Sequence, residues 1–335
     1  MLKVGLIGLG TVSIVHTRAI KASKQAELIA VCDSDLSRKA AAEGANFYSD
    51  VDDMLAHEDL DVIHICLPHY LHDEVALKCL RAGVHVFLEK PVTIDYQRSR
   101  AMLEEFERMN QPPKLGVCFQ NRLNKTTVEL KRILQEEQSD VIAVRGTVPW
   151  FRPAEYYTNK PWRGTWAEAG SGTLINQAIH TLDLMRFIQD TRWSECKAII
   201  GNLLDYDIEV EDSAMARFVF ENGSQGLFFS TNANYDNDSV ELQVVTKKTR
   251  YLIKDDKLFD TDFNEVCENR VLPNTKIYYG ASHTDAIEGF YQAVIEDTDN
   301  YVHLSDALTT MEMVDVIKQS SKEGRTIKRE EFVHG

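Results

Sequence analysis

The sequence predicts an α/β fold in which a doubly wound parallel sheet is followed by an α+β domain with a large, mainly antiparallel open sheet. In the first third of the chain, short apolar runs alternate with helical segments, and the first run leads directly into a glycine turn. After residue 122 the alternation gives way to a helix and then to long runs rich in Val, Phe and Thr. We therefore expect a Rossmann domain at residues 1–122 and an α+β domain at 123–335, with the last helices packing back on the first domain.

Composition limits the classes of partner. With 335 residues, 44% of them hydrophobic and 27% charged, the chain is long enough for about two globular domains. Its net charge of −15 would repel nucleic acid and anionic membranes, so we expect neither as a partner. We identify no signal peptide, no apolar run of membrane-spanning length, and no C-x-x-C pair among the six cysteines. These features predict a cytoplasmic protein with reduced thiols.

The first strand and the turn after it suit a dinucleotide. Residues 3–7 form an apolar run, and a helical stretch begins at Ile14. Between them, Gly8 permits a tight turn and Gly10 lets the backbone approach a pyrophosphate, which the amides of the new helix would bind. The candidate phosphate-binding residues are Gly8, Gly10, Thr11 and Val12.

Asp33 is the candidate ribose ligand. It ends the second apolar run and lies 23 residues beyond Gly10, close to the spacing of about 20 at which an acid binds the ribose hydroxyls. Its carboxylate would repel a 2′-phosphate, so NAD is the expected cofactor. Ser34 and Arg38 follow it, and their hydroxyl and guanidinium groups leave NADP open.

Further strand–helix alternation places two motifs at the carboxyl ends of strands, where doubly wound sheets bind ligands. Glu89-Lys90-Pro91 follows the run at 84–88 and resembles the E-K-P signature of the glucose-fructose oxidoreductase / inositol dehydrogenase (Gfo/Idh/MocA) family. Residues 67–72 resemble that family's T-P-N-x-x-H turn beside the nicotinamide, with Leu67 and His69 departing from it. The resemblance implies cofactor contacts from Leu67, Pro68, His69, His72, Glu89 and Lys90.

A second group of candidates lies in the segment 170–183. Asn176 and His180 are four residues apart, which predicts that they share one face of a helix, and Asp183 lies three residues further on. The segment resembles the family's G-G-x-x-x-D-x-G-x-H-x-x-D sequence, with Asn176 in place of the acid. The resemblance implies that Asn176 and His180 face the substrate.

Two further segments supply candidate substrate ligands. Arginine and asparagine bind hydroxyl or carboxylate groups, and aromatic rings stack on the apolar faces of sugars. Tryptophans in this position are equally compatible with a place in the core. The candidates are Asn121 and Arg122, which follow the sixth strand, and Trp162 and Arg163.

The sequence predicts no metal site. His64, His69 and His72 lie close together along the chain, but no acid or cysteine completes the set at a recognised ligand spacing.

The resemblance implies an NAD(P)-dependent oxidoreductase that transfers a hydride between nicotinamide and a secondary alcohol or ketone of a sugar, cyclitol or sugar derivative. His180 is the expected general acid/base, Lys90 stabilises the negative charge on the substrate oxygen, and Asn176 positions the substrate. Asp183 is a candidate to orient the imidazole. The roles of Lys90 and His180 are open to exchange, and both would reach one oxygen only across a cleft between the domains. The alternative is a catalytically silent regulator or sugar sensor of the same fold.

A homodimer or homotetramer is also expected. An antiparallel sheet covered by helices on one side has a second face to bury, and the run 226–230 carries apolar residues on both faces.

Overall fold

The computed structural model describes residues 1–270 and 282–334. These residues form two compact units. The first comprises Met1–Thr93, Gln97–Gln120 and Ser282–Leu308. The second comprises Ile94–Tyr96 and the described residues from 121 to 270 and from 309 onward.

The first 120 residues form the parallel sheet expected from the strand–helix alternation. Its six strands are in the order β3-β2-β1-β4-β5-β6, and all neighbours are parallel, which confirms the doubly wound fold. The elements are β1 (Leu2–Ile7), α1 (Ser13–Ala22), β2 (Ala26–Cys32), β3 (Asn46–Tyr48), α2 (Val51–His57), β4 (Val62–Ile65), α3 (His72–Arg81), β5 (His85–Leu88), α4 (Tyr96–Glu107) and β6 (Leu115–Val117).

The order of the strands determines where this sheet can bind a ligand. Strand β1 lies between β2 and β4, so the chain leaves β1 toward one edge of the sheet and later returns to build the other edge. Doubly wound sheets bind ligands at the carboxyl ends of the strands on either side of such a reversal. The glycine turn after β1 and the turn after β4 both lie at this point.

The second unit contains the large open sheet. Nine strands are ordered β14-β13-β12-β11-β7-β10-β9-β8-β15, and every pair is antiparallel except β7 with β10, as the sequence predicts for a mainly antiparallel sheet. The elements up to residue 270 are α5 (Lys125–Glu137), β7 (Val141–Pro149), α6 (Glu155–Thr158), α7 (Trp166–Ala169), α8 (Thr173–Asn176), α9 (Ile179–Phe187), β8 (Trp193–Gly201), β9 (Ser213–Phe220), β10 (Gln225–Thr231), β11 (Glu241–Thr246), β12 (Arg250–Lys254), β13 (Lys257–Phe259) and β14 (Glu265–Glu268).

The remaining elements are α10 (Ser282–Glu296), α11 (Leu304–Glu323), β15 (Ile327–Lys328) and α12 (Arg329–His334). Helix α10 belongs to the first unit, where Phe290 and Tyr291 join a buried cluster with Val4, Ile20 and Phe87. Strand β15 pairs with β8 and forms an edge of the nine-stranded sheet. Within the described residues, no helix has the length and apolar character needed to cross a membrane.

Candidate active site

The glycine turn after β1 requires glycine for steric reasons. Gly8 has φ +89°, and a Cβ there would lie 2.7 Å from the carbonyl oxygen of Cys66. At Gly10 a Cβ would meet only the Arg38 guanidinium, at 3.8 Å, so a side chain is sterically possible there and its absence leaves the backbone open. The first turn of α1 contains no acidic residue. The turn therefore offers backbone amides and a helix N-terminus to an anionic pyrophosphate, and Thr11 and Val12 complete it.

Asp33 is held against this turn. Its Oδ2 accepts a hydrogen bond from the Leu9 amide at 2.8 Å, and its Oδ1 accepts one from the Asp35 amide at 2.9 Å. Arg38 donates from Nη1 to the Leu9 carbonyl at 2.7 Å, and the same nitrogen lies 3.5 Å from Asp33 Oδ2. The guanidinium is therefore paired with the carboxylate at the end of β2.

The turn after β4 is tied to the turn after β5 by a buried histidine. His72 is fully buried; its Nδ1 lies 2.7 Å from the Pro91 carbonyl oxygen and its Nε2 2.9 Å from that of Leu67. Burial lowers the pKa of His72, and the two carbonyl contacts oppose that shift. The ring thus connects two backbone segments, and the cofactor contact of His72 stays a prediction. Pro68 precedes the 3₁₀ turn of His69, which is also buried.

The side chains of Glu89 and Lys90 lie in different environments at the end of β5. Successive side chains of an extended chain point to opposite sides, and here Glu89 is 5% exposed while Lys90 is half-buried. Glu89 Oε1 lies 2.9 Å from His16 Nε2 and 3.5 Å from His283 Nε2. Burial would raise the pKa of Glu89, but the hydrogen bonds from the two histidines outweigh it and hold that pKa well below its usual value. The Glu89 carboxylate therefore lies in the interior of the unit, and the cofactor contact of Glu89 stays a prediction. The Lys90–Pro91 peptide bond is cis.

The loop before α8 is built around a buried acid that the sequence analysis missed. Glu211 accepts hydrogen bonds from the Ser171 hydroxyl and from the amides of Gly172 and Leu174, at 2.9 to 3.0 Å. Burial raises the pKa of Glu211, and these hydrogen bonds oppose the shift. The only sequence signal was an acid pair, Glu211 and Asp212, directly before a strand.

Asn176 and His180 lie on two short helices, which corrects the prediction of one continuous helix. Helix α8 ends at Asn176, and α9 begins at Ile179. The Asn176 amide donates to the carbonyl oxygens of Ser171 and Gly172, both at 3.3 Å, so the side chain closes its own loop. His180 is in the first turn of α9 and is 2% exposed. The four-residue spacing therefore does not place the two side chains on a common helix face.

Asp183 binds Arg122. Both side chains are buried, and Thr310 also donates to Asp183 Oδ1, at 2.8 Å. The sequence predicts a role for Asp183 toward His180 and a role for Arg122 toward substrate, whereas the structure joins the two residues as an ion pair inside the second unit.

The other candidates belong to the second unit, where Asn121 is buried and Arg163 is half-buried. Asn121 lines a cavity of about 610 Å³ together with Thr181, the residue after His180. The Arg163 guanidinium stacks on Tyr156 at 4.1 Å from the ring centroid, and Trp162 is half-buried beside it.

Two family models match the chain and cover most of it. Residues 2–116 match the oxidoreductase family with an NAD-binding Rossmann fold, and residues 128–251 match the Gfo/Idh/MocA C-terminal domain. The chain belongs to the Gfo/Idh/MocA oxidoreductase family. The first unit is thus the NAD-binding domain of an oxidoreductase, and the resemblance inferred from Glu89-Lys90-Pro91 is confirmed.

Named dehydrogenases resemble this chain over between about half and nearly all of its length. A myo-inositol 2-dehydrogenase of Thermotoga maritima is 23% identical over 99% of this chain and 100% of its own. A D-glucoside 3-dehydrogenase of Escherichia coli is 31% identical over 56% of this chain and 54% of its own. The WlbA dehydrogenase of Bordetella pertussis, solved with NADH and UDP-GlcNAcA, is 25% identical with a TM-score of 0.84 and covers 98% of both chains.

Proposed function

We propose that this enzyme oxidises a secondary alcohol of a sugar, cyclitol or sugar derivative with NAD, or reduces the corresponding ketone. The observation that carries the proposal is Lys90, which is half-buried at the carboxyl end of β5 in the NAD-binding unit while the preceding Glu89 is turned into the interior. A cationic side chain there can bind the oxygen of a substrate held beside the cofactor. The family's named relatives that act on inositol and on a glucoside support a polyhydroxylated substrate.

NAD is the proposed cofactor in preference to NADP. Asp33 presents a carboxylate beside the glycine turn, and a second phosphate on the ribose would bring like charges together. Arg38, which could otherwise bind that phosphate, is engaged with the Leu9 carbonyl and with Asp33. The pairing leaves less of its positive charge for a 2′-phosphate.

The proposed chemistry divides between cofactor and protein. NAD, which the glycine turn at Gly8 and Gly10 and the carboxylate of Asp33 would hold, would supply the hydride acceptor for the carbinol carbon. His180 takes the hydroxyl proton during oxidation and returns it during reduction, since an imidazole nitrogen can both accept and donate a proton. Lys90 donates a hydrogen bond to the same oxygen and stabilises its negative charge. Asn176 positions the substrate, with Asn121, Trp162 and Arg163 as further contacts, and Arg122 supports the site through Asp183.

We also propose a homodimer or homotetramer that associates through the open face of the nine-stranded sheet. Ile199, Met215 and Leu227, on the adjacent strands β8, β9 and β10, are more than half exposed. Ile199 and Met215 are direct cross-strand partners, whereas Leu227 lies between Arg217 of β9 and Arg145 of β7. An exposed apolar patch on a sheet face is typical of an interface. The six free thiols, five of them buried, fit a reducing compartment such as the cytoplasm.

A substrate panel tests the proposed function. Purified enzyme is mixed with NAD and a series of cyclitols, hexoses, glycosides and nucleotide sugars, and cofactor absorbance is followed. We expect reduction of NAD with at least one cyclic polyol and none with simple primary alcohols. Turnover confined to non-carbohydrate alcohols would contradict the substrate class.

A further inference from the structure

Four buried side chains of the first unit converge on one point inside it. His16 belongs to α1, Glu89 follows β5, Cys118 follows β6 and His283 belongs to α10. They are 0%, 5%, 0% and 2% exposed. One nitrogen, oxygen or sulfur atom from each lies within 4.8 Å of the corresponding atom of every other.

We propose that these four side chains bind a zinc ion. Two imidazoles, a thiolate and a carboxylate are donors that zinc accepts in tetrahedral sites, whereas magnesium and calcium prefer oxygen ligands alone. Zinc–ligand bonds of about 2.0–2.3 Å place the ligand atoms of a tetrahedron roughly 3.3–3.8 Å apart. On zinc binding the His16–Glu89 pair, at 2.9 Å, would open slightly, and the widest pairs of the set, which lie within 4.8 Å, would close by about 1 Å. Four protein ligands leave no open position, which makes the site structural.

Charge balance supports this assignment. The ligand group of a zinc site must lose its protons, so Cys118 would bind as a thiolate, Glu89 as a carboxylate and both histidines as neutral rings. The two negative charges then equal the charge of the ion, and the buried cluster is neutral overall.

A second layer of contacts orients His16. Its Nδ1 lies 2.8 Å from His64 Nδ1, and His64 Nε2 lies 2.8 Å from the hydroxyl oxygen of Tyr291. Ligating histidines commonly donate their other ring N–H to such a partner. The His16–His64 contact joins two Nδ1 atoms, so only one of the two rings can donate a hydrogen bond there. Which ring donates depends on whether His16 Nε2 carries a proton or binds a metal ion.

When both rings are neutral, the direction of the hydrogen bonds from His16 through His64 to Tyr291 differs between the metal-free and the zinc-bound protein. With no metal, His16 donates from Nε2 to the Glu89 carboxylate, so its Nδ1 accepts from His64 Nδ1–H and His64 Nε2 accepts from Tyr291. With zinc on His16 Nε2, the His16 proton is on Nδ1 and donates to His64, whose own proton moves to Nε2. The tautomer of His64 therefore reports the ion.

The structural consequence concerns α10. This helix comes from near the end of the sequence, yet it contributes Ile287, Phe290 and Tyr291 to the core of the first unit. A zinc ion bound by His283 as well as by His16, Glu89 and Cys118 would join α10 to the parallel sheet.

Metal analysis of the full-length protein tests the proposal. The chain is purified without chelators or a histidine tag, and we expect about one zinc per chain by mass spectrometry. Cys118→Ser should lose the ion, whereas Cys79→Ser, at another fully buried cysteine of the same unit, should keep it. His64→Ala should weaken zinc binding by roughly 10–100-fold, the usual cost of removing a hydrogen-bond partner of a ligand.

Cobalt replacement supplies an independent readout. A Co²⁺-loaded wild type should show thiolate-to-cobalt charge-transfer absorption, and nitrogen NMR should show His64 protonated at Nε2 with zinc and at Nδ1 after chelation. Zinc content in Cys118→Ser equal to that of wild type would overturn the proposal. If that variant does not fold, a wild type that lacks the charge-transfer band and keeps His64 protonated at Nδ1 in excess zinc would overturn it equally.

Discussion

Arg122 donates two parallel hydrogen bonds to Asp183, from Nε to Oδ2 at 2.7 Å and from Nη2 to Oδ1 at 2.5 Å. The two side chains are only 5% and 1% exposed, and the guanidinium also stacks on Phe187. The pair fixes the start of the second unit to helix α9, which carries His180.

Breaking this pair should destabilise the enzyme strongly. Asp183→Asn leaves the Arg122 charge buried without its counter-charge, and the expected loss of unfolding free energy is about 3–5 kcal/mol. Urea unfolding measures it, with Asp190→Asn, at an exposed acid near the end of the same helix, as the control. Equal stability of the two variants would show that the pair is not needed.

The loop before α8 should not tolerate side chains at its glycines. A Cβ on Gly170 would lie 1.9 Å from the Ile94 carbonyl oxygen, and one on Gly172 would lie 1.8 Å from that of Glu211. The backbone must move in either alanine variant, at an expected cost of about 1–3 kcal/mol or more. Gly201→Ala, where a Cβ meets nothing within 4 Å, is the matched control for thermal unfolding. A wild-type melting temperature in Gly170→Ala would refute the clash.

Cofactor preference should depend on Asp33. Wild-type enzyme is expected to bind NAD(H) more tightly than NADP(H). Asp33→Ala should reduce this difference in affinity, because it removes the carboxylate that accepts hydrogen bonds from the ribose and releases Arg38 from its ion pair. Asp53→Ala, at an exposed acid of α2, should leave the preference unchanged. Calorimetry that finds the wild type favouring NADP(H) tenfold, about 1.4 kcal/mol, would make Arg38 the dominant determinant.

Association should require the apolar face of the sheet. Met215→Glu puts a charge opposite Ile199 on β8 and Phe229 on β10, so light scattering should show a smaller species than wild type. Leu203→Glu, at a 73% exposed leucine outside the strands, should behave as wild type. A wild-type monomer of 38.1 kDa at micromolar concentration would exclude the assembly.

Much of the fold followed from local patterns, because each predicted element has its own signal in sequence. Gly8, Gly10 and Asp33 form a local unit whose spacing is set by one strand–helix–strand passage. The directions of Glu89 and His72 were not predictable in the same way, because each is determined by partners from other parts of the chain. Glu89 meets His283, and no spacing rule relates residues so far apart.

The break between Asn176 and His180 shows a related limit. A four-residue spacing indicates a common face only if the helix is continuous. Here Asn176 binds carbonyl oxygens of its own loop, and that loop is held by Glu211, which is distant in sequence. Tertiary contacts override the local pattern at this point.

Single-turnover hydride transfer tests the catalytic assignment most directly. With a substrate from the panel, cofactor absorbance is followed after rapid mixing for wild type, Lys90→Met, His180→Ala and the double variant. Each single variant should keep nearly unchanged NAD affinity and lose on the order of 10²–10⁴ in rate. The double variant should be far less than multiplicatively slower, because both residues act on one proton transfer. Wild-type rates in both single variants would contradict the account.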